Sequence, residues 1–147
     1  MNRRNFLHAT GFACLGAGTL PLWLSGCGNV RYVTGVMLGK KLAVKKADFV
    51  ITKNDKPVNQ PFVLVKNEQL PFPICIYNFD NDEYHALYME CTHQGCEVNA
   101  YATQLVCPCH GSEFSNSGKV IQGPAEKDLH EFVVTVDSEN IFIQLSA

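Results

Sequence analysis

Apolar positions along this chain follow two different patterns. Residues 6–24 form a largely apolar stretch, broken by His8, Thr10, several glycines and Pro21. From residue 47 onward, apolar positions come instead in short runs rich in Val, Ile, Phe and Tyr, at 48–52, 62–66, 74–79 and 84–89. Turn formers separate them: Asn54-Asp55-Lys56-Pro57, Pro71-Phe72-Pro73 and Asp80-Asn81-Asp82-Glu83. Such runs predict β-strands, because branched and aromatic side chains suit a pleated, half-buried surface. Near the far end, 130–136 and 141–145 flank Asp137-Ser138-Glu139-Asn140, which predicts a hairpin. Phe132, Val134 and Val136 would share one face, and Ile141, Ile143 and Leu145 one face of the partner strand. No segment sustains a helical period, and no repeat or low-complexity tract occurs. The expected class is all-β, with stacked antiparallel sheets.

Residues 91–125 interrupt this pattern. They are dense in Cys, His, Gly and Pro and poor in long apolar runs. Such a stretch cannot bury much core of its own, so a metal group and a cross-link are expected to hold it. Residues 27–46, with Gly35, Gly39 and the run Lys40, Lys41, Lys45 and Lys46, read as a tether running into a first strand. The lysines read as a solvated face, or as a contact with anionic lipid headgroups. Three parts result: a leader at 1–26, a tether at 27–46, and a domain at 47–147 with a cluster-binding subdomain at about 90–125.

Composition narrows the function. The 147 residues suit one domain plus an appendage, and a formal net charge of −2 without a basic-aromatic patch excludes a nucleic-acid partner. Of seven cysteines, four lie within 91–109. That clustering points to metal ligation, disulfides, or both. The segment reads Cys91-Thr92-His93-Gln94-Gly95-Cys96, then ten residues, then Cys107-Pro108-Cys109-His110-Gly111-Ser112. Each short loop offers one Cys and one His. Thiolate suits iron–sulfur clusters, and imidazole suits iron as well as zinc. A structural zinc site is one rival, although its usual order is a Cys pair followed by a His pair. Two plain disulfides are another, and would leave both histidines unexplained.

These paired loops resemble the Rieske [2Fe–2S] proteins of the cytochrome bc and b₆f type. The resemblance covers 91–125 closely and extends over the β blocks. It implies that Cys91 and Cys107 bind one iron, that His93 and His110 bind the other near the surface, and that Cys96 and Cys109 form a disulfide. Neutral imidazoles replace two thiolate charges, which eases reduction. Rieske potentials accordingly span about −150 to +300 mV, against roughly −400 mV for plant-type ferredoxins. Ser112 stands where family members donate a hydroxyl hydrogen bond to a bridging sulfide. Phe114 stands where high-potential members carry Tyr, so one donor to a cysteine sulfur is missing and an intermediate potential is expected. Gly123-Pro124-Ala125 matches the loop that covers the cluster. Oxidation should lower the pKa of the ligand imidazoles, because added positive charge on iron disfavours the protonated ring. Cys75, His85 and His130 read as ordinary core or surface residues of strands, and Glu90 and Glu97 as solvated carboxylates.

Residues 1–26 read as an export signal. Arg3-Arg4-Asn5-Phe6-Leu7 resembles the twin-arginine signal, and Leu24-Ser25-Gly26-Cys27 resembles the lipobox of bacterial lipoproteins. Lipidation at Cys27, a leader kept as a membrane anchor, and simple cleavage are the open outcomes. Two or more acyl chains anchor stably, whereas one is marginal. Trp23 is the single tryptophan, so indole fluorescence of protein from native membranes would report a retained leader.

The expected activity is one-electron transfer on the periplasmic side of a bacterial membrane. The partner would be a redox protein (a cytochrome or an oxidoreductase subunit) or quinol. Three settings fit: a lone lipid-anchored carrier, the Rieske subunit of a quinol-oxidising complex, or the small subunit of a periplasmic oxidoreductase such as a molybdenum enzyme. Whether the chain is itself an enzyme is open at this stage. Ring-hydroxylating oxygenases are set aside, because the chain has no room for a second iron domain.

Overall fold

The computed structural model describes residues 30–79 and 82–145. Among them there is no α-helix, only one 3₁₀ turn (Lys46–Phe49) amid fourteen strands. The all-β expectation holds. Strands β1 (Tyr32–Thr34), β2 (Val36–Leu38) and β3 (Lys41–Lys45) come first, followed by β4 (Val50–Lys53) and β5 (Lys56–Asn59). Then follow β6 (Phe62–Lys66), β7 (Ile74–Phe79) and β8 (Glu83–Tyr88). Four short strands, β9 (Asn99–Ala100), β10 (Gln104–Val106), β11 (Glu113–Ser115) and β12 (Val120–Gln122), precede the final hairpin of β13 (Glu131–Val136) and β14 (Asn140–Gln144).

Eight strands form one folded-over sheet in the order β1-β6-β7-β8-β13-β14-β3-β2. The fold in it lies at β13. Glu131 and Phe132 pair with β8, whereas Val133–Val136 pair with β14. One half-sheet therefore holds β6, β7 and β8, and the other holds β14, β3 and β2. A second, four-stranded sheet, β12-β11-β10-β9, carries the cysteine-rich loops.

Side-chain alternation divides the interior into two cores. Val63, Val65, Ile74, Ile76, Ala86 and Tyr88 face the opposite half-sheet and meet Leu42, Val44, Ile141 and Ile143. Their neighbours Leu64, Cys75, Tyr77, Leu87 and Met89 face the other way and meet Val98, Leu105, Phe114 and Leu129 beneath the four-stranded sheet. The β6–β8 layer is thus covered on both sides, which is why its strands read as near-continuous apolar runs.

Several sequence expectations change. The stretch expected as a tether supplies β1, β2 and β3 from residue 32 onward. In β3 the lysines at 41 and 45 point outward, while Leu42 and Val44 are buried. The lysine run hid a period of two. Residues 46–49 form the 3₁₀ turn in place of the start of a strand, because that turn carries Phe49 into the core. The turn at Asn54-Asp55, both with positive φ, closes the β4–β5 ribbon. Such a two-residue connection matches the natural twist of paired strands. The final hairpin forms as expected: Phe132, Ile141 and Ile143 are buried, Val134 and Leu145 pack against the core, and Val136 is exposed. The leader, Cys27 and the centre of the turn at 80–83 lie outside the described residues.

Candidate metal centre

The two cysteine-rich loops have the same backbone construction. In the first, the Cys91 N–H donates to the Cys96 carbonyl at 2.8 Å and the Gly95 N–H to the Cys91 carbonyl at 2.8 Å. In the second, the Cys107 N–H donates to the Ser112 carbonyl at 2.8 Å and the Gly111 N–H to the Cys107 carbonyl at 3.0 Å. Each loop closes through a glycine in the left-handed region, Gly95 at φ 71° and Gly111 at φ 77°. A side chain there would be strained, so both glycines belong to the loop geometry. Each loop thus buries its first cysteine at the base and projects the residues between outward.

The expected disulfide is present between Cys96 and Cys109, with a Cα–Cα separation of 6.6 Å. It ties one loop to the other across the top. Cys91 and Cys107 are free thiols, 2% and 1% exposed. That pattern overturns the reading of two plain disulfides. The Cys107 sulfur lies within 4.8 Å of both disulfide sulfurs, but those two are already bonded and offer no thiolate. Four side chains therefore remain to hold a metal group: Cys91, His93, Cys107 and His110. The rings of His93 and His110 sit edge to face, with centroids 5.0 Å apart and planes at 90°. His93 is half-buried and His110 exposed.

Two observations fit these residues to a cationic cluster. His93 Nδ1 is buried without a hydrogen-bond partner among the described residues, a costly state for a polar atom unless a metal takes it. Burial pushes the Cys91 thiol up, and the neighbouring Cys107 adds to this, while the backbone N–H groups of His93 and Gln94 pull it down. Two adjacent buried thiols resist ionising together, and bound metal supplies the positive charge that lets them do so.

The surroundings close over this site. Ser112 is fully buried, and its Oγ accepts the Ala125 N–H at 3.0 Å. The Thr92 hydroxyl donates to the Lys127 carbonyl at 2.5 Å. The loop with Gly123, Pro124 and Ala125 is thereby fastened to both cysteine loops, with Ala125 buried and Pro124 exposed. Gln122 adds a 3.3 Å bond from Nε2 to the Gly111 carbonyl. Phe114, on β11, is fully buried in the same core as Cys91 and Cys107. Below the sheet, the Tyr77 hydroxyl reaches the carbonyls of Tyr101 and Gln104 at 2.7 and 3.1 Å, docking the small sheet on the large one. Thr92 stood in the sequence only as the spacer between Cys91 and His93, with no role read for it. Tyr77 carries no local signal at all.

Cys75, His85 and His130, set aside from the sequence, stay apart from the centre. Cys75 is fully buried on β7, and burial pushes its thiol far up, so it remains protonated. His85 bonds Glu131 at 2.6 Å. His130 packs edge-on against Phe132. Glu90 and Glu97 are exposed and form an isolated bridge at the foot of the first loop.

The sequence profile of the Rieske [2Fe-2S] domain family matches residues 36–133. The chain belongs to the Rieske family. A Rieske domain binds a [2Fe–2S] cluster and transfers electrons, and the zinc reading falls with that assignment. The cytochrome b6-f complex iron-sulfur subunit of Synechococcus sp. (strain CC9605) is 46% identical over 55 residues, which is 36% of this chain and 31% of that protein. The same subunit of Synechococcus sp. (strain JA-3-3Ab) is 46% identical over 59 residues, covering 39% and 34%. The Rieske chain thus spans about a third of the length of these curated relatives. The crystal structure of the cyanobacterial plasma membrane Rieske protein PetC3 from Synechocystis PCC 6803 matches 56% of this chain and 85% of that one, at 34% identity and a TM-score of 0.50.

Proposed function

We propose that Cys91 and Cys107 hold one iron of the cluster, that His93 and His110 hold the other, and that the protein is a lipid-anchored, periplasmic one-electron carrier. The observation that carries the ligand set is the pairing of two buried free thiols with two facing imidazoles on loops joined by Cys96–Cys109. When bound, the cluster supplies a one-electron couple. The chain does the rest. His110 lies open to solvent and gives a partner a short route in. Pro124 and Ala125, fastened by Ser112 and Thr92, exclude water from one side. Ser112 spends its oxygen on the Ala125 N–H, so its own proton is free for a cluster sulfide. Phe114 offers no such donor, which supports a potential below that of quinol-oxidising members.

The twin-arginine-like and lipobox-like sequences support export and attachment through Cys27. A second reading, a subunit of a quinol-oxidising complex, is favoured by the relatives named as cytochrome b6-f subunits. Gentle solubilisation of native membranes separates the two. A lone carrier comes away with lipid on Cys27 and no stoichiometric partner. Co-purifying cytochrome b would replace that reading with the complex, and a large catalytic chain would indicate a periplasmic oxidoreductase.

A further inference from the structure

One face of the domain breaks the usual rule of apolar inside and polar outside. The outward positions along the first two strands are 32, 34, 36 and 38, and three of the four are apolar. Tyr32 is 50% exposed, Val36 58% and Leu38 54%. Their inward neighbours Val33 and Met37 pack on the core. Gly35 holds the chain tightly at the crossover, where an added Cβ would lie 2.5 Å from Leu42 Cδ1. Tyr32, Val36 and Leu38, with Ala43 and Phe142, line an open groove of about 620 Å³. An exposed apolar row of this kind marks a contact surface.

Charge says what the contact is. Residues 30–66 hold eight basic residues and two acidic ones, whereas 67–147 hold two basic and twelve acidic. Arg31 and Lys45 line the groove, Lys40 and Lys41 stand exposed at the turn beside Leu38, and Lys66 lies 4.9 Å over the Tyr32 ring. Asp48 is the carboxylate in the groove lining, and Glu139 lies in the next hollow beside Lys45 and Lys46. Cys27, the proposed attachment point, lies three residues before Val30.

We propose that the outer face of β2 and β3 rests on a bilayer containing anionic phospholipid, with Val36 and Leu38 at the headgroup boundary, Tyr32 at the rim of the groove, and Arg31, Lys40, Lys41 and Lys45 on the phosphates. Apolar burial and cationic attraction to anionic lipid act together in such contacts. The layering sets the consequence. The outer face of β2, β3 and β14 lies beyond one core, and the cluster-bearing sheet lies beyond the other, across the β6–β8 layer. A domain docked this way turns His93 and His110 away from the bilayer, toward a partner in the aqueous phase. The contact does not depend on which anchor precedes it.

Hydrogen exchange on the full-length protein tests this, in vesicles of phosphatidylcholine alone and with phosphatidylglycerol added. Slowed exchange across 30–45 in the anionic vesicles is expected, with the amides of β7 unchanged. Reversing Lys40, Lys41 and Lys45 to Glu should shift the docked–undocked ratio by at least about a hundredfold and return exchange to the neutral-vesicle rate. An unchanged visible spectrum of the cluster confirms that the variant is folded. Equal exchange in both vesicles, despite equal attachment, overturns the docking and leaves the anchor standing. Protection without lipid that grows with protein concentration overturns it in favour of a second copy. Protection without lipid that already equals the anionic-vesicle level, at every concentration, overturns it in favour of the chain's own upstream segment.

Discussion

The two cores of this domain are built on different principles. The one between the half-sheets is aliphatic and aromatic throughout, with Leu42, Val44, Val63, Val65, Ile74, Ile76, Ile141 and Ile143 each 1% exposed or less. The one beneath the small sheet includes Cys91, Cys107 and Phe114 and ends in loops with little apolar area above them. Burial holds the first. The second leans on a disulfide, on hydrogen bonds from Ser112, Thr92 and Tyr77, and on the bound cluster. The lesson is that a redox site exposed enough to pass electrons is stabilised by links of few atoms, each individually important, on a base that does not need it.

Breaking each region should therefore give different symptoms. Ile76→Ala, in the aliphatic core, should cost about 2–5 kcal/mol and lower the melting of the whole domain, with cluster loss following the fold. Circular dichroism and iron absorbance would then fall together. Removing the disulfide by Cys96→Ala with Cys109→Ala releases a cross-link between residues 13 apart in sequence, worth about 3 kcal/mol for a loop of that size. Here the cluster should be lost well before the base melts. Coincident transitions would contradict the separation of the two regions.

Smaller effects sharpen the comparison. Ser112→Ala orphans the buried Ala125 N–H and should cost about 1–3 kcal/mol, with a fall in potential measured by redox titration. Phe114→Tyr should raise the potential by about 60 mV, the one-electron equivalent of roughly 1.4 kcal/mol, if its hydroxyl reaches a ligand sulfur. An unchanged potential would remove Phe114 from the explanation. The smallest effect is at Asp128, which is held below the ordinary carboxylate range by Lys119 and then by the Val120 N–H. Its contribution is present above pH 3.8, the ordinary value, and is lost as pH falls through the depressed one. The Val120 amide shift should follow that titration in NMR, and Asp128→Asn should abolish it.

The difference between the regions also explains what could be read from the sequence. The strands at 62–66 and 74–79 were legible to the residue, because layers buried on both faces leave unbroken apolar runs. The Cys96–Cys109 pair was legible through the resemblance of the two loops to a known family, and Cys91, His93, Cys107 and His110 stood out as candidate ligands because few residue types bind metal. β9 to β12 were not, since strands of two or three residues show no period. β3 was hidden by its outward lysines, and the partners of Tyr77 and Ser112 are set by tertiary packing that no local pattern records.

The ligand assignment has one direct test. The dithionite-reduced protein, labelled with ¹⁵N-histidine, should show two iron-coupled imidazole nitrogens in pulsed paramagnetic resonance. One of them should disappear in His93→Cys and one in His110→Cys, while His85→Gln and His130→Gln keep both. Absence of nitrogen coupling in the native protein, or its survival when His93 or His110 is replaced, would contradict the two-cysteine, two-histidine site.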